Sequence, residues 1–265
     1  MKIAERVLNL EGVHNFRDYG GYPVRGGGRL RRGVLWRSGQ HHGATEADLS
    51  RIADLNLTSV FDLRSSRERT AHPCKRPEGF AARVFLGQDP ERKKEPDAPH
   101  VAAAMTTKQR DAESTRMGLL RNYGKICFRP ELQAMMRSYL AELAGNQGPS
   151  LINCMAGKDR TGISVALVQT AAGVHRDDVI EDYVLTNTAG DPEARIAAGA
   201  ETIRAISGVL DDDVLRVLMG VEPEYLEAAF VAIDEEHGSV DAYLRDVLGA
   251  DEALREKLRD ALVEG

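Results

Sequence analysis

Residues 151–164 read LINCMAGKDRTGIS, and the order of residue types in this stretch decides the fold. An apolar strand leads into Cys154, five residues separate it from Arg160, and a helix follows at once. In a compact loop of this kind the backbone N–H groups converge on an anion-binding concavity. The first turn of the helix adds unpaired N–H groups and the positive end of its dipole. A phosphate is therefore favoured there, and a thiol at the start of such a loop sits in the field that supplies a thiolate nucleophile. Arg160 is placed to bind two phosphate oxygens through its planar fork, which lysine cannot do. Gly157 lets the backbone turn tightly, and the Thr161 hydroxyl is placed to donate to the sulfur as it leaves. A cysteine and an arginine six positions apart recur by chance. The full run from Cys154 to Gly162, set between strand and helix, is far more specific. The candidate phosphate-binding residues are thus Met155, Ala156, Gly157, Lys158, Asp159, Arg160 and Thr161.

Outward from the loop, strand-like and helix-like segments alternate, as in an α/β domain. The pattern predicts strands over 34–37, 58–61 (ending at Asp62), 83–86 and 151–153. It predicts helices over 45–55, opened by a capping box from Thr45 to Asp48, and over 131–143 and 162–172. Beyond 177 the chain reads as helical, with one helix over 223–237, another capped by Ser239 and a last one over 251–263. The stretch PERKKEPDAP at 90–99 holds three prolines and six charged residues, which disfavours helix and strand alike. A helix can follow over 101–123. About 89–125 is accordingly expected to be an insertion, either a solvated surface segment or a mobile lid over the site. No linker-like stretch divides the halves, so 1–265 is read as one domain with a helical C-terminal third.

Composition narrows the class. Hydrophobic residues make up 42% and charged residues 29%, ordinary for a chain that buries a core. A net charge of -6 argues against a general nucleic-acid binder. No run of 18 or more apolar residues suggests a membrane span, and the N-terminus lacks the apolar stretch of a signal peptide. A soluble, cytoplasmic protein is the expectation. Cys74, Cys127 and Cys154 are too few for a disulfide framework. Cys74 and Cys127 read as inert thiols, a redox partnership with Cys154 being the lesser reading. The seven histidines, His41 and His42 among them, show no ligand-spaced cluster and read as solvated, so neither metal nor cofactor is expected.

At these residues the chain resembles the bacterial atypical tyrosine and dual-specificity phosphatases. Asn15 to Tyr22 (NFRDYGGY) is similar to that family's NFRDLGGY, Trp36 to Gly39 to its YRSG, and Asp62 to Ser65 to its DLRS. Asp182-Tyr183, Thr186-Asn187, the run MGVEPEYL at 219–226 and GSVDAYL at 238–244 follow in the family's order. The resemblance implies a cysteine-phosphatase central sheet flanked by helices with a helical lid. It also implies activity on phosphotyrosine, in some members on phosphoserine, phosphothreonine or phosphoinositides. Lys158 is the residue to connect with phosphoinositides, the other reading being a simple addition to the local positive field. One departure stands out: Asn153 takes the place of the family's histidine before the nucleophile, and it is expected to hydrogen-bond loop carbonyls and amides.

A phosphomonoester hydrolase also needs a carboxylic acid to protonate the leaving oxygen. Asp62, at the carboxyl end of a strand, is the first candidate and is favoured by the resemblance. Asp159, inside the loop, is its rival, with Asp89 and Asp97 as fallbacks. Arg64 and Arg67 read mainly as surface or ion-pair residues, and Asn15, Arg17 and Asp18 as pins for the N-terminal segment. The expectation is a two-step enzyme working through a phosphocysteine on phosphorylated protein. A phosphoinositide phosphatase and a non-catalytic phosphate-binding module are the alternatives.

Overall fold

A computed structural model describes residues 5–87, 111–145, 148–207 and 210–265. The strands are β1 (Arg17–Asp18), β2 (Arg29–Leu30), β3 (Leu35–Ser38), β4 (Ser59–Asp62), β5 (Arg83–Leu86), β6 (Ser150–Asn153) and β7 (Val263–Glu264). Among the described residues there are eleven α-helices. They are α1 (Glu46–Ala53), α2 (Ser66–Ala71), α3 (Ala112–Ile126), α4 (Pro130–Ala144), α5 (Asp159–Ala171) and α6 (Arg176–Val184), then α7 (Pro192–Ser207), α8 (Asp212–Met219), α9 (Pro223–His237), α10 (Val240–Asp246) and α11 (Glu252–Leu262).

Five strands form one mixed sheet in the order β1-β3-β6-β4-β5, all parallel except β1, which runs antiparallel to β3. The register sets Asn153, at the end of the middle strand, opposite Ser38 on one side and Asp62 on the other. Three strand ends therefore meet beside Cys154, at the carboxyl edge where open parallel sheets hold their ligands.

Successive strand residues point to opposite faces, and both faces are covered. Val60 and Leu151 join Val13, Phe16, Leu49 and Ile52 in a cluster under α1. Phe61 and Ile152 belong to a larger cluster that runs from Tyr19 to Leu262 and takes in the C-terminal helices. All four residues of β4 and of β6 are buried, as in parallel strands covered on both faces. Phe61 stacks on Phe85 with ring centres 4.2 Å apart and tilts against Tyr139.

The anticipated capping box of α1 is present, and Asp48 also accepts the amides of Glu11 and Gly12 at 2.8 Å, pinning the N-terminal segment to the helix. Helix α9 starts with proline and ends at Gly238, whose φ is 80°. Three features differ from expectation. Helix α5 starts at Asp159, earlier than position 162, so Arg160 and Thr161 lie in its first turn. Helix α2 occupies an arginine-rich stretch that showed no periodicity. The last helix stops at Leu262, and Val263–Glu264 pairs with β2 in a separate small sheet. Of the expected lid-like insertion, residues 88–110 lie outside the described residues, and so do Asp89 and Asp97. Its remainder is largely α3, which lies along α9 with Leu119, Tyr123 and Ile126 buried. No helix among the described residues is long and apolar enough to cross a membrane.

His41, expected to be solvated, is buried, with Nε2 2.9 Å from the Ser38 hydroxyl. Burial, with Arg76 and Arg64 nearby, pushes its pKa down to about 3. Between that value and the ordinary 6.5, an unfolded chain binds a proton that the folded chain refuses. Stability is therefore lost as pH falls below about 6.5, by up to about 1.4 kcal/mol per pH unit from this group. In urea unfolding at pH 7 and pH 5, His41→Gln is expected to lose less stability on acidification than the wild type; equal losses would refute this account of His41.

Candidate active site

The loop from Cys154 to Lys158 leaves β6 and enters α5 with its backbone turned so that the carbonyls face the protein. Met155 O accepts the Gln40 amide at 3.0 Å. Asn15 Nδ2 donates to Ala156 O at 3.5 Å and Gly157 O at 2.7 Å, and Arg37 Nη2 donates to Gly157 O at 3.0 Å. With the carbonyls held from behind, the amides take the other side. Among the described residues, those of Met155, Ala156, Gly157 and Lys158 donate to no protein acceptor. Gly157 has φ 67°, and a Cβ there would lie 2.5 Å from the Ser38 carbonyl carbon, so position and conformation both exclude a side chain.

Behind the loop, Arg37 binds Asp182 at 2.8 Å, and Arg17 reaches the Asp182 carbonyl at 2.9 Å and the Thr186 hydroxyl at 3.2 Å. Arg17 also donates to the Asn15 side chain, which carries the chain onward to the loop. Burial and the neighbouring Arg37 push the Arg17 guanidinium down to about 9. Asn15 and Arg17 thus hold the phosphate loop itself, whereas Asp18 caps nearby turns through the amides of Gly20 and Gly33.

Cys154 is 2% exposed at the mouth of this loop. Arg160 is fixed by a fork onto Glu68, with two N–O distances of 2.7 Å, and by the Leu63 carbonyl at 3.0 Å. Its Nε is buried and has no partner, which leaves one edge of the guanidinium for a ligand. Burial works against the charge, but Glu68 and then Cys154 carry the pKa of Arg160 above its ordinary value. Glu68 is the functional residue that sequence reasoning missed. It is the third helical residue of α2, and it accepts the Ser65 amide at 2.8 Å in a capping box, a pattern that was present as Ser65-x-x-Glu68. Arg129, at the start of α4, lies in the electrostatic range of Arg160, Asp159 and Glu68 and was not anticipated either.

The two candidate acids have different surroundings. Asp62 is gripped by Arg64, whose Nε lies 2.9 Å from Oδ1 and whose Nη2 lies 2.7 Å from Oδ2. Asn153 reaches Asp62 Oδ1 at 3.4 Å and makes no bond to the loop, contrary to expectation. Asp159 Oδ1 accepts the Tyr123 hydroxyl at 2.8 Å, and Tyr123 in turn accepts that of Tyr183 at 2.7 Å. Lys158 does not face the loop's concave side: its buried Nζ donates to Gly220 O at 2.9 Å and lies 3.2 Å from Asp159 Oδ1. Burial pushes the Lys158 pKa down. The Thr161 hydroxyl is buried with no partner. Arg64 spends its remaining donors on His72 O and Cys74 Sγ, and Arg67 is exposed. Burial raises the thiol pKa of Cys74, and that of Cys127 to about 12, in keeping with unreactive thiols.

The Glu68 fork gives a direct expectation. Glu68→Gln removes one charge-assisted hydrogen bond to Arg160, which is worth about 1.5–3 kcal/mol. Orthophosphate or vanadate is expected to bind the variant about tenfold more weakly or worse by calorimetry; unchanged affinity would show that Arg160 needs no anchor.

Three comparisons converge with this geometry. The model of the tyrosine phosphatase family matches residues 8–264. A Cupriavidus necator protein named as a candidate tyrosine-protein phosphatase is 35% identical over 251 residues, covering 93% of this chain and 85% of that protein. The triple specificity protein phosphatase PtpB of Mycobacterium tuberculosis is 31% identical over 97% of this chain and 99% of its own length. The chain belongs to the tyrosine phosphatase family and is a protein phosphatase.

Proposed function

We propose that this phosphatase hydrolyses phosphotyrosine, and phosphoserine or phosphothreonine beside it, through a phosphocysteine on Cys154. The observation that carries the reading is the loop whose four amides donate to no protein acceptor, next to an arginine clamped by Glu68. In the first step the Cys154 thiolate forms a bond to phosphorus as the ester bond breaks. Loop amides and Arg160 stabilise charge on the equatorial oxygens. The departing oxygen takes a proton from a carboxylic acid. In the second step water attacks phosphorus, sulfur leaves, and the same carboxylate takes the proton from the water.

Asp159 fits the acid role better than Asp62 does. It opens α5 one residue before Arg160, joined to the Tyr123–Tyr183 hydroxyl chain and 3.2 Å from the Lys158 ammonium. Asp62 has both oxygens engaged by Arg64, an arrangement that fits an orienting ion pair. Lys158 lends little support to phosphoinositides, its ammonium being committed to Gly220 and Asp159. The wider range stated in the name of the mycobacterial relative makes phosphoserine and phosphothreonine reasonable companions to phosphotyrosine.

The test is turnover of aryl phosphates with good and poor leaving groups, EDTA present throughout. Wild-type activity is expected to survive EDTA and to vanish in Cys154→Ser. Asp159→Asn is expected to slow the poor leaving group by about 10²–10⁴-fold and the good one much less, whereas Asp62→Asn should affect both alike. The opposite pattern would return the acid to Asp62. A folded wild type that binds vanadate without turnover would make the chain a phosphate-recognition module.

A further inference from the structure

Arg195, on α7, makes no direct ion pair among the described residues. The residue is 3% exposed, one terminal nitrogen donates to the Thr186 carbonyl, and Nε is buried with no partner. Among the described residues no carboxylate pairs with it. Burying a guanidinium without an anion is costly, and such groups are almost never left unpaired. Other buried cations of the site are answered: Arg17 and Arg37 share Asp182, Lys158 has Asp159, and Arg160 has Glu68.

The location shows what would answer Arg195. It lines a cavity of about 60 Å³ together with His14, Gln40, Met155, Ala156 and Met219. Met155 and Ala156 immediately follow Cys154, so this cavity adjoins the phosphate loop. Its volume holds about four waters, enough for one carboxylate or phosphate and too little for an aromatic ring. Burial pushes the Arg195 pKa down to about 10, against the opposing influence of Asp159, so the group stays charged at neutral pH. Burial and the Arg195 charge lower the pKa of His14, which therefore faces the cavity uncharged.

We propose that Arg195 is the centre of a second anion subsite, which takes a carboxylate or phosphate carried on the same peptide as the scissile phosphate. The inference rests on the phosphatase reading above and deepens it, naming doubly anionic phosphopeptides as the preferred substrate class. A planar fork suits either anion.

The experiment measures binding apart from turnover. Calorimetry with Cys154→Ser compares three phosphotyrosyl peptides that carry Gln, Glu or phosphothreonine at the flanking positions. The Glu or phosphothreonine peptide is expected to bind about tenfold or more tightly than the Gln peptide, the range of a charge-assisted hydrogen bond. Whichever of the two gains more identifies the anion. In Cys154→Ser/Arg195→Met that ratio is expected to collapse toward one. Arg195 also holds Thr186, so Cys154→Ser/Ala198→Glu serves as a second variant. It places a competing carboxylate at the exposed rim of the cavity while leaving the Thr186 bond intact, and the same collapse is expected. An acidic-to-neutral ratio unchanged in the folded variants would overturn the subsite. Wild-type hydrolysis of the same peptides is scored separately: its absence, with the ratios intact, would overturn the catalytic reading and leave the subsite standing.

Discussion

The carbonyl of Gly157 points into the protein, where Asn15 and Arg37 hold it, and the other features of the site follow from that inversion. A peptide unit is planar, so fixing its carbonyl on one side commits the next amide to the other. Holding Gly157 in its left-handed conformation against Ser38 commits β3 to lie alongside β6. Satisfying Arg37 then requires Asp182 on α6, and Asn15 requires Arg17. The N-terminal segment, a middle strand and a helix beyond the loop are thus recruited to keep a few N–H groups aimed at one point. Preorganised donors of this kind cost no reorganisation when charge develops on a bound phosphate.

The charges sort by the side of the loop on which they stand. Arg17 and Arg37 work from behind, through the backbone and a shared aspartate. Arg160 meets the ligand side with its outer edge tied to Glu68. Lys158 and Asp159 bind one another at the start of α5 and link the loop to Gly220 and to two buried tyrosines. Arg195 stands apart from these pairs: it holds the Thr186 carbonyl and leaves a buried Nε without a partner beside the loop.

The strand–loop–helix around Cys154 was legible in the sequence because it is contiguous: strand, cysteine, glycine and arginine lie within a dozen residues. The main strands and long helices were legible for the same reason, since their periodicity is local. What escaped was short or long-range. Two-residue strands such as Arg17–Asp18 and Val263–Glu264 carry no period. Glu68 finds Arg160 across 92 positions, and only its local bond to Ser65 could have been read. The directions taken by Asn153 and Lys158 could not be read from the sequence because neighbours far along the chain decide them: Asp62 for one, Gly220 for the other. The early start of α5 belongs here too, because the loop's own geometry sets it.

Glu68 ends one chain of hydrogen bonds and begins another. The same carboxylate closes the first turn of a six-residue helix and holds the arginine that meets phosphate. So short a helix has little intrinsic stability, which makes the fraying of α2 and the readiness of the site a single equilibrium. Each moment that the turn opens, Arg160 loses its anchor, and apparent phosphate affinity is scaled by the fraction of time the turn stays closed. On the proposed mechanism, a substitution at Ser65 that loosens the turn of α2 is felt at Arg160 through the carboxylate that both share.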